Sequence, residues 1–82
     1  VKMNNLCRVI EPGEEVVISK SAHFGMFQEL DERIFVVEGG PGMHPFAAGS
    51  RLTGHYKSDG EEMVARGWDI DVAETIEHQK GT

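Results

Sequence analysis

The sequence predicts an all-β domain, with room for one short helix, and three observations carry that reading. Ile34-Phe35-Val36-Val37 is a continuous apolar run of the length and β-branched content that suits a strand buried on both faces. Residues 51–57 alternate, with Leu52, Gly54 and Tyr56 on one side and Arg51, Thr53, His55 and Lys57 on the other. Ten glycines and three prolines punctuate 82 residues, so the elements between them are short. The form expected is a small antiparallel SH3-like barrel or a strongly bent sheet of five to six strands, folded as a single domain over residues 1–82.

Taken in order, Val1-Lys2 stand ahead of Met3 and read as an expression remnant outside the fold. Residues 6–10 form a short apolar-rich segment that ends at Glu11-Pro12-Gly13-Glu14. Proline followed by glycine suits the two central positions of a type II turn. Val16-Val17-Ile18 then supplies a second strand. Residues 21–30 are ambiguous, because Ala22, Met26 and Leu30 have helical spacing while Phe24 and Met26 alternate. Gly25 weakens a helix by about 1 kcal/mol relative to alanine, which favours strand, with Leu30-Asp31-Glu32 as the turn into Arg33. Beyond the central strand, residues 39–54 make a glycine-punctuated loop and the start of the alternating strand. Asp59-Gly60 is a hairpin signal, since both residues tolerate a positive φ. On the returning strand Met63 and Ala65 share a face that Trp68, Ile70 and Val72 resume after a slip of one residue at Gly67, the pattern a β-bulge leaves. Residues 73–78 read as a brief strand or one helical turn, and residues 79–82 as a tail that frays.

Composition bounds the function. A chain of this length buries only about 60–65% of the surface it exposes unfolded, so its own core is marginal. Such domains draw on disulfides, metals or partners. Cys7 is the only cysteine and cannot form an internal bridge, which leaves self-association as the economical remedy. Eight basic against fourteen acidic residues give a net charge of −6, with the basic ones scattered singly, so no nucleic-acid binding is expected. No apolar stretch nears the ~20 residues of a membrane span, and none resembles a signal peptide, so the expected partners include no membrane and the expected location is cytoplasmic.

Spacing decides among the candidate sites. The glycine-rich loop has Pro45 where a dinucleotide-binding pattern needs its third glycine, and alanines where a P-loop needs lysine, so its glycines serve turns. His23, His44, His55 and His78 could join Asp69, Asp71 or Cys7 around zinc or iron, but no pair has close ligand spacing, and neither metal nor cofactor is expected. His44 and His55 are the pair that folding or assembly could bring together. Cys7 lies in an apolar stretch that favours an inert thiol, and no serine sits in a nucleophile elbow, so no catalytic residue is assigned. Asp69 and Asp71 would lie about 7 Å apart on one strand face, which reads as a solvated face before it reads as an acid-base pair. Met43, Pro45 and Phe46 are apolar groups on a loop, which fold onto the core or meet a partner or ligand.

Val37-Glu38-Gly39-Gly40-Pro41-Gly42-Met43 and residues 49–54 resemble, in texture, small bacterial proteins carried on mobile elements such as integron gene cassettes and plasmids. One family of that pool, the plasmid-borne type II dihydrofolate reductases, is similar in length and has SH3-like barrels that assemble around a shared pore. Phe24-Gly25-Met26 echoes a short run in it. The Val-Gln-Ile-Tyr pattern that lines that pore is missing here, so its activity is not carried over. What the resemblance implies is a precedent for a small chain making its site at a symmetric interface.

The expectation is therefore a non-enzymatic binding or interaction module working as a homo-oligomer, with Met43, His44, Pro45 and Phe46 as the contact loop. The alternative is a small enzyme or ligand carrier whose pocket, taking a small-molecule ligand, forms between subunits from His44, Arg51, His55 and Tyr56.

Overall fold

The computed structural model describes residues 10–23, 29–40 and 50–81. Met43, His44, Pro45 and Phe46 fall outside the described residues, as do Cys7 and Phe24-Gly25-Met26. Four strands form one antiparallel sheet in chain order: β1 (Glu15–Val17), β2 (Ile34–Gly39), β3 (Arg51–Tyr56) and β4 (Glu62–Arg66). Among the described residues one α-helix, α1 (Val72–Lys80), follows the sheet, with 3-10 turns at Lys20–His23, Leu30–Arg33 and Gly67–Asp69.

The turn ahead of β1 forms as its sequence predicts. Glu14 N–H donates to Glu11 O at 3.1 Å, with Pro12 and Gly13 between them and Gly13 at a φ of 96°, which a side chain would oppose. Gly13 N–H then donates to Val37 O and Val37 N–H to Glu14 O, carrying the β1–β2 pairing back into the turn. At the β3–β4 hairpin Tyr56 N–H donates to Glu61 O at 3.0 Å across Asp59-Gly60, and Asp59 Oδ1 accepts from Glu61 N–H.

The inner face of the sheet holds the core. Val16, Ile18, Phe35, Val37, Leu52, Tyr56 and Ala65 alternate onto it and pack with Ile10 and Ile70. Phe35 and Tyr56, a cross-strand pair, meet edge to face at 5.8 Å. Phe35 also lies over Gly54, where an added Cβ would collide with the carbonyl oxygen of Val36. The glycine in β3 is thus required by the closeness of β2.

After β4 the structure departs from the sequence expectation. The slip at Gly67 is a 3-10 turn, Gly67–Asp69, in place of a strand bulge. Arg66 N–H donates to Asp69 Oδ2 at 3.1 Å and fixes that turn, which swings Trp68 out to 64% exposure where the alternation had placed it inside. Ile70 returns to the core and bridges Ile18 in antiparallel fashion. Ser19 N–H to Asp69 O (2.7 Å) and Asp71 N–H to Val17 O (2.8 Å) flank that bridge. The two ends of the sheet therefore touch at one point without closing along their length.

Asp71 caps α1, its Oδ1 accepting from Glu74 N–H at 2.9 Å. Asp69 and Asp71 are thus a turn fixer and a helix cap, and not a carboxylate pair on one strand. The helix runs to Lys80, well past the single turn expected, and it packs on β1. Thr75, fully buried, accepts the Val17 N–H on Oγ1 at 2.9 Å, and Gln79 Nε2 donates to Glu15 O at 2.9 Å. His78 Nε2 lies 2.6 Å from Glu15 Oε1, whose other oxygen takes Lys57 Nζ at 3.0 Å. The residues 21–30 expected as strand begin and end in 3-10 turns, with 24–28 outside the described residues.

Arg33 ties these parts together at 1% exposure. Its Nη1 donates to Ile18 O at 2.8 Å and to Glu74 Oε1 at 2.7 Å, and its Nη2 donates to Glu74 Oε2 at 3.0 Å. The hydrogen bond to Glu74 raises the guanidinium's pKa further and holds the Glu74 carboxyl below its usual range. Removing one partner of a buried pair leaves a stranded charge. We expect Glu74→Ala to cost about 2–3 kcal/mol in urea unfolding, less than a fully enclosed pair because Glu74 is 41% exposed. Arg33→Met combined with Glu74→Leu should recover most of that loss.

Acid should act on the same contacts. The Glu15 carboxyl is also lowered, first by the hydrogen bond from His78. A depressed folded-state pKa contributes stability that is complete above the unfolded glutamate value of about 4.3 and is lost as pH falls through the folded value. Unfolding midpoints measured from neutral pH downward should hold steady and then fall below about pH 4.5. Glu15→Gln and Glu74→Gln should each flatten that fall.

Candidate functional site on the outer face of the sheet

α1 packs along β1, and among the described residues no element covers the face opposite the core across β3 and β4. Three cross-strand pairs make it: Arg51 with Arg66, Thr53 with Val64, and His55 with Glu62. All six are at least partly exposed, Val64 at 46%.

A bulge in β2 adds Glu38 as a third residue beside His55 and Glu62. Val37 pairs with Gly54 and Gly39 with Thr53, so Glu38 is an extra residue between two registered pairs. Its Oε2 accepts from His55 Nδ1 at 2.6 Å, and Thr53 Oγ1 donates to Gly39 O at 2.9 Å across the same bulge. Between Glu38 and Glu62 runs a groove of about 280 Å³ lined by Glu38, Thr53, Gly54, Glu62, Met63 and Val64. Two carboxylates thus flank the Gly54 backbone and the Val64 side chain, an arrangement that suits a cation with an apolar stem. A carboxylate fixing an imidazole through Nδ1 also leaves Nε2 to take up a proton or a ligand.

The other end of the face is basic. Arg51 and Arg66 stand directly opposite one another, an arrangement of like charges that destabilises a strand pair. Neither has a carboxylate partner among the described residues, although the chain carries fourteen acidic residues. Arg66 instead places its guanidinium 6.0 Å from the centre of the exposed Trp68 ring, at the limit of a cation–π contact.

Of the residues singled out in the sequence, the structure brings Arg51 and His55 to this face, at opposite ends of β3 about 13 Å apart by the strand repeat. Tyr56 faces the core at 7% exposure, and its hydroxyl donates to Met63 Sδ at 3.2 Å. Burial pushes its pKa up to about 12, with Asp69, Asp59 and Glu61 adding to the rise, so it is a neutral core group and not a partner of His55. His44, with the rest of the expected contact loop, lies outside the described residues. Among the described residues no group of three or more His, Cys, Asp or Glu side chains is arranged to hold a metal ion, and no helix is long and apolar enough to cross a membrane.

Glu38, Glu62 and Val64 did not stand out in the sequence. Counting outward from the Asp59-Gly60 turn pairs His55 with Glu62 and Thr53 with Val64, so the hairpin signal was enough to find two of the three. Glu38 depends on a bulge that the apolar run before it does not announce. No protein-family model, curated protein or solved structure matches the chain, so the geometry stands by itself.

Proposed function

We propose that the chain is a non-enzymatic binding module that works as a homo-oligomer, with the open outer face of β3 and β4 as its contact surface. The single observation that carries the proposal is a sheet end left bare. Among the described residues no strand pairs with the outer edge of β4, while Val64 on that strand and Trp68 just beyond it are exposed apolar groups. Free strand edges and clustered apolar groups are what partners cover. The small interior supports the same reading, since the described residues bury eleven apolar side chains.

A barrel of five to six SH3-like strands is supported by the Ile18–Ile70 bridge, which brings the two ends of the sheet into contact. A cytoplasmic setting agrees with the lone cysteine. Nucleic acid stays outside the proposal because the net charge is −6. Sedimentation velocity across a concentration series reaching hundreds of micromolar tests the central claim: the weight-average mass should rise above one chain, and a constant single-chain mass would refute it.

A second reading, a small enzyme or ligand carrier, is favoured by one specific observation, the Glu38–His55 pair at the groove's rim. An oriented imidazole beside a concave site is what a general base requires. Thermal melting in the presence of small alkylamines tests it, because a ligand of the native state raises the melting temperature. The shift should be present in the wild-type chain and absent in Glu38→Gln and Glu62→Gln. No shift with any amine would remove this reading.

A further inference from the structure

The outer face is divided in a way that a neutral contact surface does not need. Along the strands, Arg51 and Arg66 occupy one end, Thr53 and Val64 the middle, and His55, Glu62 and Glu38 the other. The two ends lie about 13 Å apart by the four-residue step between Arg51 and His55. Neither end is fully compensated where it stands, since the partner of Glu38 is the His55 imidazole. The arginines face one another with no carboxylate partner among the described residues, and Glu62 has no cationic partner among them.

We infer that this face closes on the same face of a second copy, about a two-fold axis that lies across the strands level with Thr53 and Val64. The inference rests on the homo-oligomer reading and adds its interface and its register. Such an axis lays β3 on the partner's β3 and β4 on the partner's β4 with the ends exchanged. The arginines of each copy then stand over the acidic end of the other, and Val64 meets its own symmetry mate at the centre. An isologous contact requires this self-complementarity, in which a patch meets its own opposite. The groove between Glu38 and Glu62 receives an arginine from the second copy. Its walls offer two carboxylates to the guanidinium, and the Gly54 backbone and Val64 lie against the methylene stem.

Packing of this kind is geometrically ordinary, since two twisted sheets stack about 10 Å apart with their strands within about 30° of alignment. The patch is small. Two to three strands about 4.8 Å apart over five residues place it well below the roughly 800 Å² per partner of a standard interface. Association should therefore be weak and exchanging, in the micromolar range or weaker, and sensitive to salt.

Charge exchange tests the interface. One variant carries Arg51→Glu with Arg66→Glu, the other Glu38→Lys with Glu62→Lys, all at exposed positions. Sedimentation equilibrium at tens to hundreds of micromolar should show the wild-type chain self-associating and each variant alone weakened by roughly tenfold or more. An equimolar mixture of the two variants should regain a two-chain species, because every exchanged charge then meets its opposite. Recovery in the mixture also shows that both variants fold. If the wild-type chain associates and both variants associate equally well, this interface is wrong while self-association stands. If each variant is weakened and the mixture stays monomeric, the proposed register is wrong. A wild-type chain that remains monomeric throughout overturns both this interface and the oligomeric reading beneath it.

Discussion

A guanidinium keeps its proton in proteins, so a buried arginine dictates that acceptors be brought to it. Arg33 is that arginine, and its acceptors come from 15 residues before it and 41 residues after it. Ile18 O fixes the end of β1 against the start of β2, and Glu74 draws the first turn of α1 onto the same spot. Among the described buried side-chain nitrogens and oxygens, Nε of Arg33 alone lacks a partner, so the pair is held by the two Nη groups. The net energy of such a pair is modest, because desolvation offsets most of the attraction. Its value lies in specificity: few other arrangements of this chain would give the charge three oxygen acceptors.

The placement of α1 follows from that anchor and makes the two ends of the sheet unequal. Beside β1 the helix supplies what a neighbouring strand would have supplied, with Thr75 accepting the Val17 amide and Gln79 donating to the Glu15 carbonyl. Asp71 and Asp69 do the same at the single bridge between Ile18 and Ile70, through their own backbone groups. An edge that the sequence left open to a second copy is thereby covered by the chain itself. No described strand or helix gives β4 the same cover. Among the described residues the surface left for a partner is the β4 edge and the face beside it.

That face also shows why a residue's type and its role separate. His55 and Tyr56 are neighbours in sequence and looked like members of one site, yet the strand alternation sends them to opposite sides of the sheet. The signal was present in the alternating pattern of residues 51–57, which already assigned them to different faces. The acidic partner of His55 is Glu38, seventeen residues earlier, and it arrives by a bulge that breaks the register between Val37 and Gly39. A bulge costs one unpaired residue and leaves no periodic trace when it falls at the end of a continuous apolar run.

Turns and alternation were legible in the sequence because they are local. Pro12-Gly13 and Asp59-Gly60 encode their turns in adjacent dihedral preferences, and residues 51–57 encode a two-sided strand in a period of two. The helix was legible too, through Asp71 with Glu74 three residues on, a capping pattern that ordinary reading of the chain passes over in favour of the strand-like Trp68, Ile70 and Val72. Three things were decided by tertiary structure. Trp68 turns outward because a 3-10 turn reverses the face, Arg33 turns inward because acceptors distant in sequence converge on it, and β1 is sealed because α1 can reach it. The last two depend on groups that meet only after the chain has folded, whereas the turn at Trp68 rests on the Arg66–Asp69 contact three residues apart and is decided where the chain after it, at Ile70, rejoins the core.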